Sequence, residues 1–232
     1  SGSLALNGLA DKTFSRRLDN SGTLSSTDGR IVLNDVTLNN LAGGVFSASA
    51  ANSVVSGTGT NGAVNNAGQF SKTSSSITIF AVPFNNLAGG NVDVTEGTLV
   101  LSAGGMNASV INIAKGATAR LSGSFVQAPG SIINSLGNVA FDAATLTLEG
   151  HLFIDGDLSF STATATIKGD ATVTKLALVN TSASVAAGGS LQVNSGGILF
   201  GGTGTNTIVL QPSDTTPGSF VLKGDVSFTA TD

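Results

Sequence analysis

The only histidine of the chain lies among carboxylates, a combination that can support acid–base chemistry. His151 occurs in LEGHLFIDGDLSF together with Glu149, Asp155 and Asp157. Residues 149 and 151 share one face of a strand, and 155 and 157 can share a face after a turn. Two carboxylates at a defined separation could cleave a polysaccharide. The segment offers no Arg, Lys, Tyr or Trp to contact a sugar, so we favour a turn at IDGD, with Asp155 supporting Gly156 and Asp157 solvated.

The sequence GTGTN, at residues 57–61 and 202–206, is a second candidate. The longer segment GGTGTNTIV (201–209) nearly matches the nonapeptide G-G-x-G-x-D-x-U-x, which binds calcium between consecutive turns. Asn206 replaces the charged Asp, and no second nonapeptide follows to complete the about six to eight oxygen ligands that calcium requires. We therefore predict Gly-rich turns and no metal or cofactor, and keep calcium binding as a lesser alternative.

Alternating threonines form a third pattern, at Thr145–Thr147, Thr162–Thr166 and Thr172–Thr174. Flat T-x-T ladders on a β-solenoid resemble those of ice-binding proteins, provided that the pairs repeat in register. Residue 164 follows 145 by 19 residues (164 − 145) but precedes 172 by only 8 (172 − 164), so the sequence indicates that register is lost. Thr is also common on exposed strands. Ice binding is therefore a lesser alternative.

The tripeptide KGD occurs at residues 168–170 and 223–225 and resembles short integrin-recognition sequences. Each copy lies between strand-like segments, ATIKGDATV and FVLKGDVSF. Gly-Asp is ordinary turn chemistry in that setting. We therefore interpret both copies as corners of a repeating structure.

The composition excludes several classes of protein. The net charge is −4 and the ten basic residues are scattered, which argues against a nucleic-acid partner, because phosphate binding needs clustered Lys and Arg. The chain has no cysteine, which removes disulfides and thiolate chemistry. No apolar run approaches the ~20 residues of a membrane helix, so we expect no membrane insertion by this segment. Abundant Gly and β-branched residues favour many short strands joined by turns.

The stretch LNNLAGG (38–44) recurs as FNNLAGG (84–90), an offset of 46 residues (85 − 39). Related turns lie in LDNSG and VNNAG, so that the second Asn of each falls at positions 20, 40, 66 and 86, with intervals of 20, 26 and 20. A unit of this length cannot bury its own apolar face and must stack on its neighbours. We predict a structural turn repeat that comprises Asn39, Asn40, Gly43, Asn65, Asn66, Gly68, Asn85, Asn86 and Gly89.

Apolar residues alternate with polar ones along the rest of the chain, for example at 92–101 and 144–154. A sandwich usually carries more aromatic residues, and a propeller has longer, aromatic repeats. We predict an all-β fold, a right-handed parallel β-helix (β-solenoid) with rungs of about 20–26 residues stacked ~4.8 Å apart. Asn at the bends should bond along the ladder and tolerate the left-handed conformation, and Gly should supply positive φ. Only KTFSRRLDN (12–20) suggests a short helix or cap.

The text LNNLAGGVFSAS, VNNAGQFSKT and FNNLAGGNVDVTEGTLVLSAGG resembles the passenger regions of bacterial autotransporter and filamentous-haemagglutinin-type surface proteins. The resemblance is best over residues 84–105 and looser elsewhere. It implies a β-helical stalk that is secreted or attached to the cell surface, often an adhesin. It transfers no catalytic residue to this chain.

These observations predict a non-enzymatic structural or adhesive segment of an extracellular or cell-surface fibre. Residues 1–17 would hold a cap or a cloning remnant plus the first rung, and residues 18–232 a single continuous solenoid from a longer protein. Self-association end to end and a host-surface or glycan ligand are the expected partners. A carbohydrate-active or carbohydrate-binding β-helix protein is the main alternative, and it would depend on the acidic cluster of Glu149, His151, Asp155 and Asp157.

Overall fold

The computed structural model describes residues 2–49, 52–194, 196–210, 219–222 and 228–230, and within these ranges every regular element is a β-strand. The first strands are β1 (Ser3–Leu6), β2 (Lys12–Phe14), β3 (Leu18–Asn20), β4 (Thr23–Ser26), β5 (Arg30–Leu33), β6 (Thr37–Asn40), β7 (Val45–Ala48), β8 (Asn52–Ser56), β9 (Ala63–Asn66), β10 (Gln69–Lys72), β11 (Ile77–Phe80), β12 (Phe84–Asn86), β13 (Asn91–Val94) and β14 (Thr98–Leu101). The remaining strands are β15 (Gly105–Asn107), β16 (Val110–Ile113), β17 (Thr118–Gln127), β18 (Ile132–Ser135), β19 (Asn138–Leu148), β20 (His151–Ser161), β21 (Thr164–Ile167), β22 (Asp170–Val179), β23 (Ser182–Val185), β24 (Ser190–Val193), β25 (Ile198–Gly201), β26 (Thr207–Leu210), β27 (Ser219–Leu222) and β28 (Phe228–Ala230).

The strands form three faces of a solenoid of about 10 turns, and every pairing between described strands is parallel. Face 1 contains β1, β4, β7, β10, β13, β16, β18, the first parts of β20 and β22, β24 and β27. Face 2 contains β2, β5, β8, β11, β14, the first parts of β17 and β19, the second parts of β20 and β22, β25 and β28. Face 3 contains β3, β6, β9, β12, β15, the second parts of β17 and β19, β21, β23 and β26. The predicted all-β parallel solenoid is confirmed.

The rungs of the N-terminal half have the predicted lengths. Asn20 lies opposite Asn40, Asn40 opposite Asn66 and Asn66 opposite Asn86. The separations are 20, 26 and 20 residues. The 46-residue offset between the two NNLAGG copies therefore equals two turns of the solenoid.

The interior is built from alternate residues of each strand, which are buried while their neighbours face outward, as in β13 and β14. Four phenylalanines from all three faces meet edge to face, with ring centroids 4.8 to 6.3 Å apart: Phe46, Phe70, Phe80 and Phe84. Further along the axis Phe141 stacks on Phe160 of the next rung at 5.2 Å. Because the interior is one or two side chains wide, few aromatic residues fill it.

The helix or cap expected at residues 12–20 is wrong. This stretch forms β2 and β3, which pair with β5 and β6 of the next turn. Local sequence preference is overridden because strand pairing places Phe14 opposite Leu33 and Leu18 opposite Leu38, which extends the apolar columns of the interior.

Candidate functional site

The acidic cluster around His151 does not converge on one point. Glu149 accepts a hydrogen bond from Lys168 at 2.7 Å, and Asp157 contacts Lys175 at 3.3 Å. His151 Nδ1 lies 3.6 Å from a carboxylate oxygen of Asp170. Each contact joins a residue to its neighbour on the following turn, so the charges are paired along the axis at separate points of the surface.

The segment IDGD is a bend within β20, where the strand passes from face 1 to face 2, and not a separate turn. A Cβ at Gly156 would lie 1.9 Å from the carbonyl oxygen of Gly137 on the preceding turn, so only glycine fits the close approach. The expected support of Gly156 by Asp155 is wrong, since Asp155 makes no hydrogen bond or ion pair among the described residues. Its side chain faces outward.

The second Asn of each repeat forms a buried amide ladder on face 3. The side-chain NH2 groups of Asn20, Asn40, Asn66 and Asn86 each donate to the side-chain oxygen of the next rung, at 2.7–2.8 Å, and Asn107 receives the last of these bonds. Each NH2 group also donates to a backbone carbonyl on the next turn, as Asn66 does to the oxygen of Asn91 at 3.1 Å. The ladder therefore ties side chains and backbone of successive turns together.

The first Asn of each repeat forms a second, outward-facing amide row. Asn85 donates to Asn65, Asn65 to Asn39 and Asn39 to Asp19, at 2.9, 2.9 and 2.7 Å. The hydrogen bond from Asn39, and then the nearby charge of Arg17, hold the pKa of Asp19 below its usual value. The dipeptide Asn-Asn thus supplies one hydrogen-bonded row inside the solenoid and one outside.

The turn after Asn-Asn has the same geometry in both copies of NNLAGG. The amide of Gly44 donates to the carbonyl of Leu41, and Gly90 does the same to Leu87. The left-handed residues are Gly43 and Gly89, with φ of 79° and 82°. The expectation that Asn adopts this conformation is wrong, because Asn40 and Asn86 end strands and direct their side chains inward.

The ladder continues one position beyond the Asn-Asn signature and then ends. In the same column Asn107 is followed by Gln127, whose NH2 group donates to the carbonyl of His151 at 2.8 Å. Later rungs fill the column with Leu148, Ile167, Val185 and Leu210. The sequence alone did not identify Asn107 and Gln127, since neither follows a second amide residue; only their position before a turn of small residues could have indicated them.

The two GTGTN segments are loops that cross a polar residue of the preceding turn. The amide of Thr58 donates to Asn34 at 3.0 Å, and the amide of Gly204 donates to Asn180 at 2.6 Å. Asn206 accepts a hydrogen bond from the backbone of Thr181 at 3.0 Å. Side-chain oxygens here accept from backbone N–H groups, which stabilises the loops without an ion.

The predicted loss of threonine register is wrong in part. On face 3, Thr145 lies opposite Thr164 and Thr147 opposite Thr166, and the next rung adds Ser182 and Ser184 in the same columns. Thr172 belongs to face 1, where it lies opposite Phe153, so the interval of 8 residues compared two different faces.

The first KGD tripeptide, at residues 168–170, lies at the corner where face 3 passes into face 1, between β21 and β22. Lys168 bonds Glu149, and Asp170 accepts a hydrogen bond from Ser190 at 2.6 Å. Both side chains are therefore engaged by neighbouring turns. The second copy, at residues 223–225, lies outside the described residues.

A groove of about 420 Å³ crosses four successive rungs on face 1. We call it the outer groove. Two columns of side chains line it: a strand column of Asp93, Asn112, Asn134 and Phe153, and a corner column of Thr95, Ala114, Leu136 and Asp155. Leu136 is 60% exposed and Phe153 is 46% exposed. The groove was not predicted, because its residues come from four turns and share no sequence motif.

Lys72 is a charged residue in the interior, with 0% exposure of the residue. Its ammonium extends to the corner of the rung, where it donates to the hydroxyl of Ser74 at 2.9 Å and to the carbonyl of Glu96 at 3.4 Å. Burial lowers the pKa of Lys72, and the charge of Glu96 partly opposes that shift.

Among the described residues, no three His, Cys, Asp or Glu side chains come together as a metal site. No helix in the described part of the chain is long and apolar enough to span a membrane. No protein family model matches the sequence, and no curated protein matches it significantly. The class of protein rests on the fold, and that class is a parallel β-solenoid.

Proposed function

We propose that this chain is a non-enzymatic structural and adhesive segment of an extracellular or cell-surface fibre. The observation that carries the proposal is the stacking of about 10 turns through three parallel strand ladders, reinforced inside by the amide ladder. Hydrogen bonds along the axis resist bending and shear between turns. Such an arrangement needs no disulfide, in keeping with the absence of cysteine.

The pairing of the polar side chains supports a structural role over a catalytic one. Glu149 and Asp157 are each engaged by a lysine of the following turn. A general acid–base pair would need carboxylates that face a common space. Adhesion would then occur along the outer faces, whose exposed rows are rich in Ser, Thr and Asn.

Self-association end to end is part of the proposal. The strands β1, β2 and β3 each pair with a strand on one side only in the described structure. Their other edges carry backbone groups on which a further parallel turn could stack. A second copy or another part of the fibre would bury those edges.

The test of this function uses intact cells of the source organism and an antibody raised against the purified chain. We expect the antibody to label intact cells, and a protease added outside to remove the label. Beads coated with the chain should be retained on a glycan-coated surface more than beads coated with a non-adhesive protein. Labelling that requires cell lysis, or equal retention of both kinds of bead, would contradict the proposal.

Ice binding is a second candidate, favoured by the threonine pairs that share register on face 3. The array has two rungs of Thr-x-Thr and one of Ser-x-Ser, of which Thr145 and Thr164 are exposed. The test is thermal hysteresis of the purified chain and of Thr164→Lys, with Thr172→Lys on face 1 as the control. Hysteresis lost only in Thr164→Lys would support ice binding, and no hysteresis in the unmodified chain would exclude it.

A further inference from the structure

The outer groove presents an aromatic ring with unused hydrogen-bonding groups on both sides of it. Phe153 faces outward from β20, and the ring of His151 lies nearly parallel to it, at a centroid distance of 6.0 Å and an angle of 15°. Asn134 precedes Phe153 in the strand column, and Asp155 follows two residues later on the same strand. A planar apolar surface is thus bordered by an amide and a carboxylate.

The hydrogen-bonding capacity of these two neighbours is largely unused. The NH2 group of Asn134 makes one long contact, 3.5 Å to the side-chain oxygen of Asn112, and its own oxygen accepts no bond from the described residues. Asp155 makes none among them. Free amide and carboxylate groups next to an exposed ring can receive a ligand without breaking existing contacts.

The other end of the groove is held rigid by a hydrogen-bonded network. Asp93 accepts from Gln69 at 2.7 Å, from Asn91 at 3.0 Å and from Asn112 at 2.8 Å. These bonds fix the orientation of Asp93 and Asn112, which line the groove two and three rungs away from Phe153. The binding surface is therefore formed before a ligand arrives, which lowers the entropic cost of binding.

The charge and the hydrogen-bonding types select the chemistry of the ligand. Two carboxylates, Asp93 and Asp155, line the groove, and no Lys, Arg or His is among its described lining residues, which disfavours anionic ligands. A cationic ligand needs acceptors alone, whereas the Asn112 and Asn134 side chains present donors as well as acceptors. Hydroxyl groups use both, and the C–H face of a sugar ring can pack on the face of Phe153.

We propose that the outer groove binds a neutral oligosaccharide, with one sugar packed on Phe153 and its hydroxyls bonded to Asn134 and Asp155. Three rung spacings of ~4.8 Å make the groove about 14 Å long, which suits a short saccharide chain lying along the axis. This inference rests on the adhesive function proposed above and names the ligand class of that function.

The test measures binding of the purified chain by NMR titration and by affinity electrophoresis. The probes are neutral oligosaccharides (cello-, malto-, xylo- and galacto-hexaoses), with oligogalacturonate as the anionic probe and oligolysine as the cationic peptide probe. The variants are Phe153→Ala and Asp155→Asn. The matched control is Ile79→Ala, which truncates an apolar side chain of similar exposure (37%) on face 2.

We expect one or more neutral probes to bind, with affinity about tenfold weaker in Phe153→Ala, reduced in Asp155→Asn and unchanged in Ile79→Ala. Because Phe153 and Asp155 are exposed, the far-UV circular dichroism of each variant should match that of the unmodified chain. Binding of no neutral probe, binding unaffected by Phe153→Ala, or preferential binding of oligolysine or oligogalacturonate would each overturn the groove assignment. Bead retention and surface labelling would remain unaffected by those outcomes, so failure of the groove and failure of the adhesive function are distinguishable.

Discussion

One column of face 3 is occupied in two different ways along the axis. From Asn20 to Gln127 it holds amide side chains, and from Leu148 to Leu210 it holds aliphatic ones. In the first region the side chains donate to one another and to backbone carbonyls of the next turn, whereas in the second they pack. The comparison teaches that a solenoid column can be polar if every amide finds a partner on the next rung, and that hydrophobic burial is otherwise sufficient.

The same two regions differ in how they fill the interior. In the N-terminal region four phenylalanines from three faces form one edge-to-face cluster, in which Phe70 contacts Phe46, Phe80 and Phe84. In the C-terminal region Phe160 stacks only on Phe141. We therefore expect the N-terminal region to depend more strongly on single side chains.

The largest expected effect comes from Phe70→Ala, which should lower the free energy of unfolding by about 3–5 kcal/mol. Phe160→Ala is the matched variant, since both rings are fully buried. It should cost about 1 kcal/mol less, because fewer ring–ring contacts are lost. Urea titrations followed by circular dichroism measure both values. Equal losses would show that the aromatic cluster adds nothing beyond buried area.

Asn66→Leu should lower the free energy of unfolding by about 2–4 kcal/mol, although leucine is the more apolar residue. The substitution leaves a donor of Asn40 and an acceptor of Asn86 without partners inside the solenoid. The control is Ile167→Leu in the aliphatic part of the column, with an expected loss below about 1.5 kcal/mol. Hydrogen exchange should show faster exchange in the rungs next to residue 66. An Asn66→Leu variant as stable as the control would contradict a stabilising role of the ladder.

Lys72→Met should raise stability by ~1 kcal/mol at neutral pH, because a buried ammonium is replaced by a side chain that matches its apolar neighbours Ala48 and Val94. Burial lowers the pKa of Lys72 in the folded state, so the unfolded state binds more protons between that pKa and the usual value of about 10.4. The unmodified chain should therefore gain stability as pH rises through this window, and the advantage of Lys72→Met should shrink. Urea midpoints from pH 7 to 10 measure the difference; an advantage independent of pH would contradict a charge effect.

The smallest effect is expected at the surface of the C-terminal region. Lys168→Ala removes a contact with Glu149 between side chains that are 48% and 29% exposed, and should cost less than about 1 kcal/mol. The loss should diminish as salt is added, because exposed ion pairs are screened. A loss comparable to that of Asn66→Leu would show that the axial ion pairs contribute as much as the amide ladder.

The sequence predicted the register of the solenoid as far as the Asn-Asn repeat extends. Asn40, Asn66 and Asn86 mark the same point of successive rungs, so their spacing gave the rung lengths directly. Beyond Asn86 the same column contains Asn107, Gln127 and then aliphatic residues, and alternation alone does not identify which apolar residue shares a column with which. The threonine pairs show the consequence, since residues close in sequence proved to lie on different faces.

The candidate site followed the opposite course. The cluster around His151 is contiguous in sequence, but its members pair separately with Lys168, Asp170 and Lys175 of the following turn. Asp155 was expected in a turn and instead borders the outer groove. The groove joins residues about one rung apart in sequence, and no local motif marks them.

The sequence by itself determined the class of fold, the rung length and the residues of the turns, because alternation, glycine and the repeated amides act within one or two rungs. The tertiary structure alone decided which side chains meet across rungs: the length of the amide ladder, the aromatic cluster and the outer groove. The physical reason is that each of these depends on axial register, and register is fixed by backbone pairing between turns that lie some 20 residues apart in the chain.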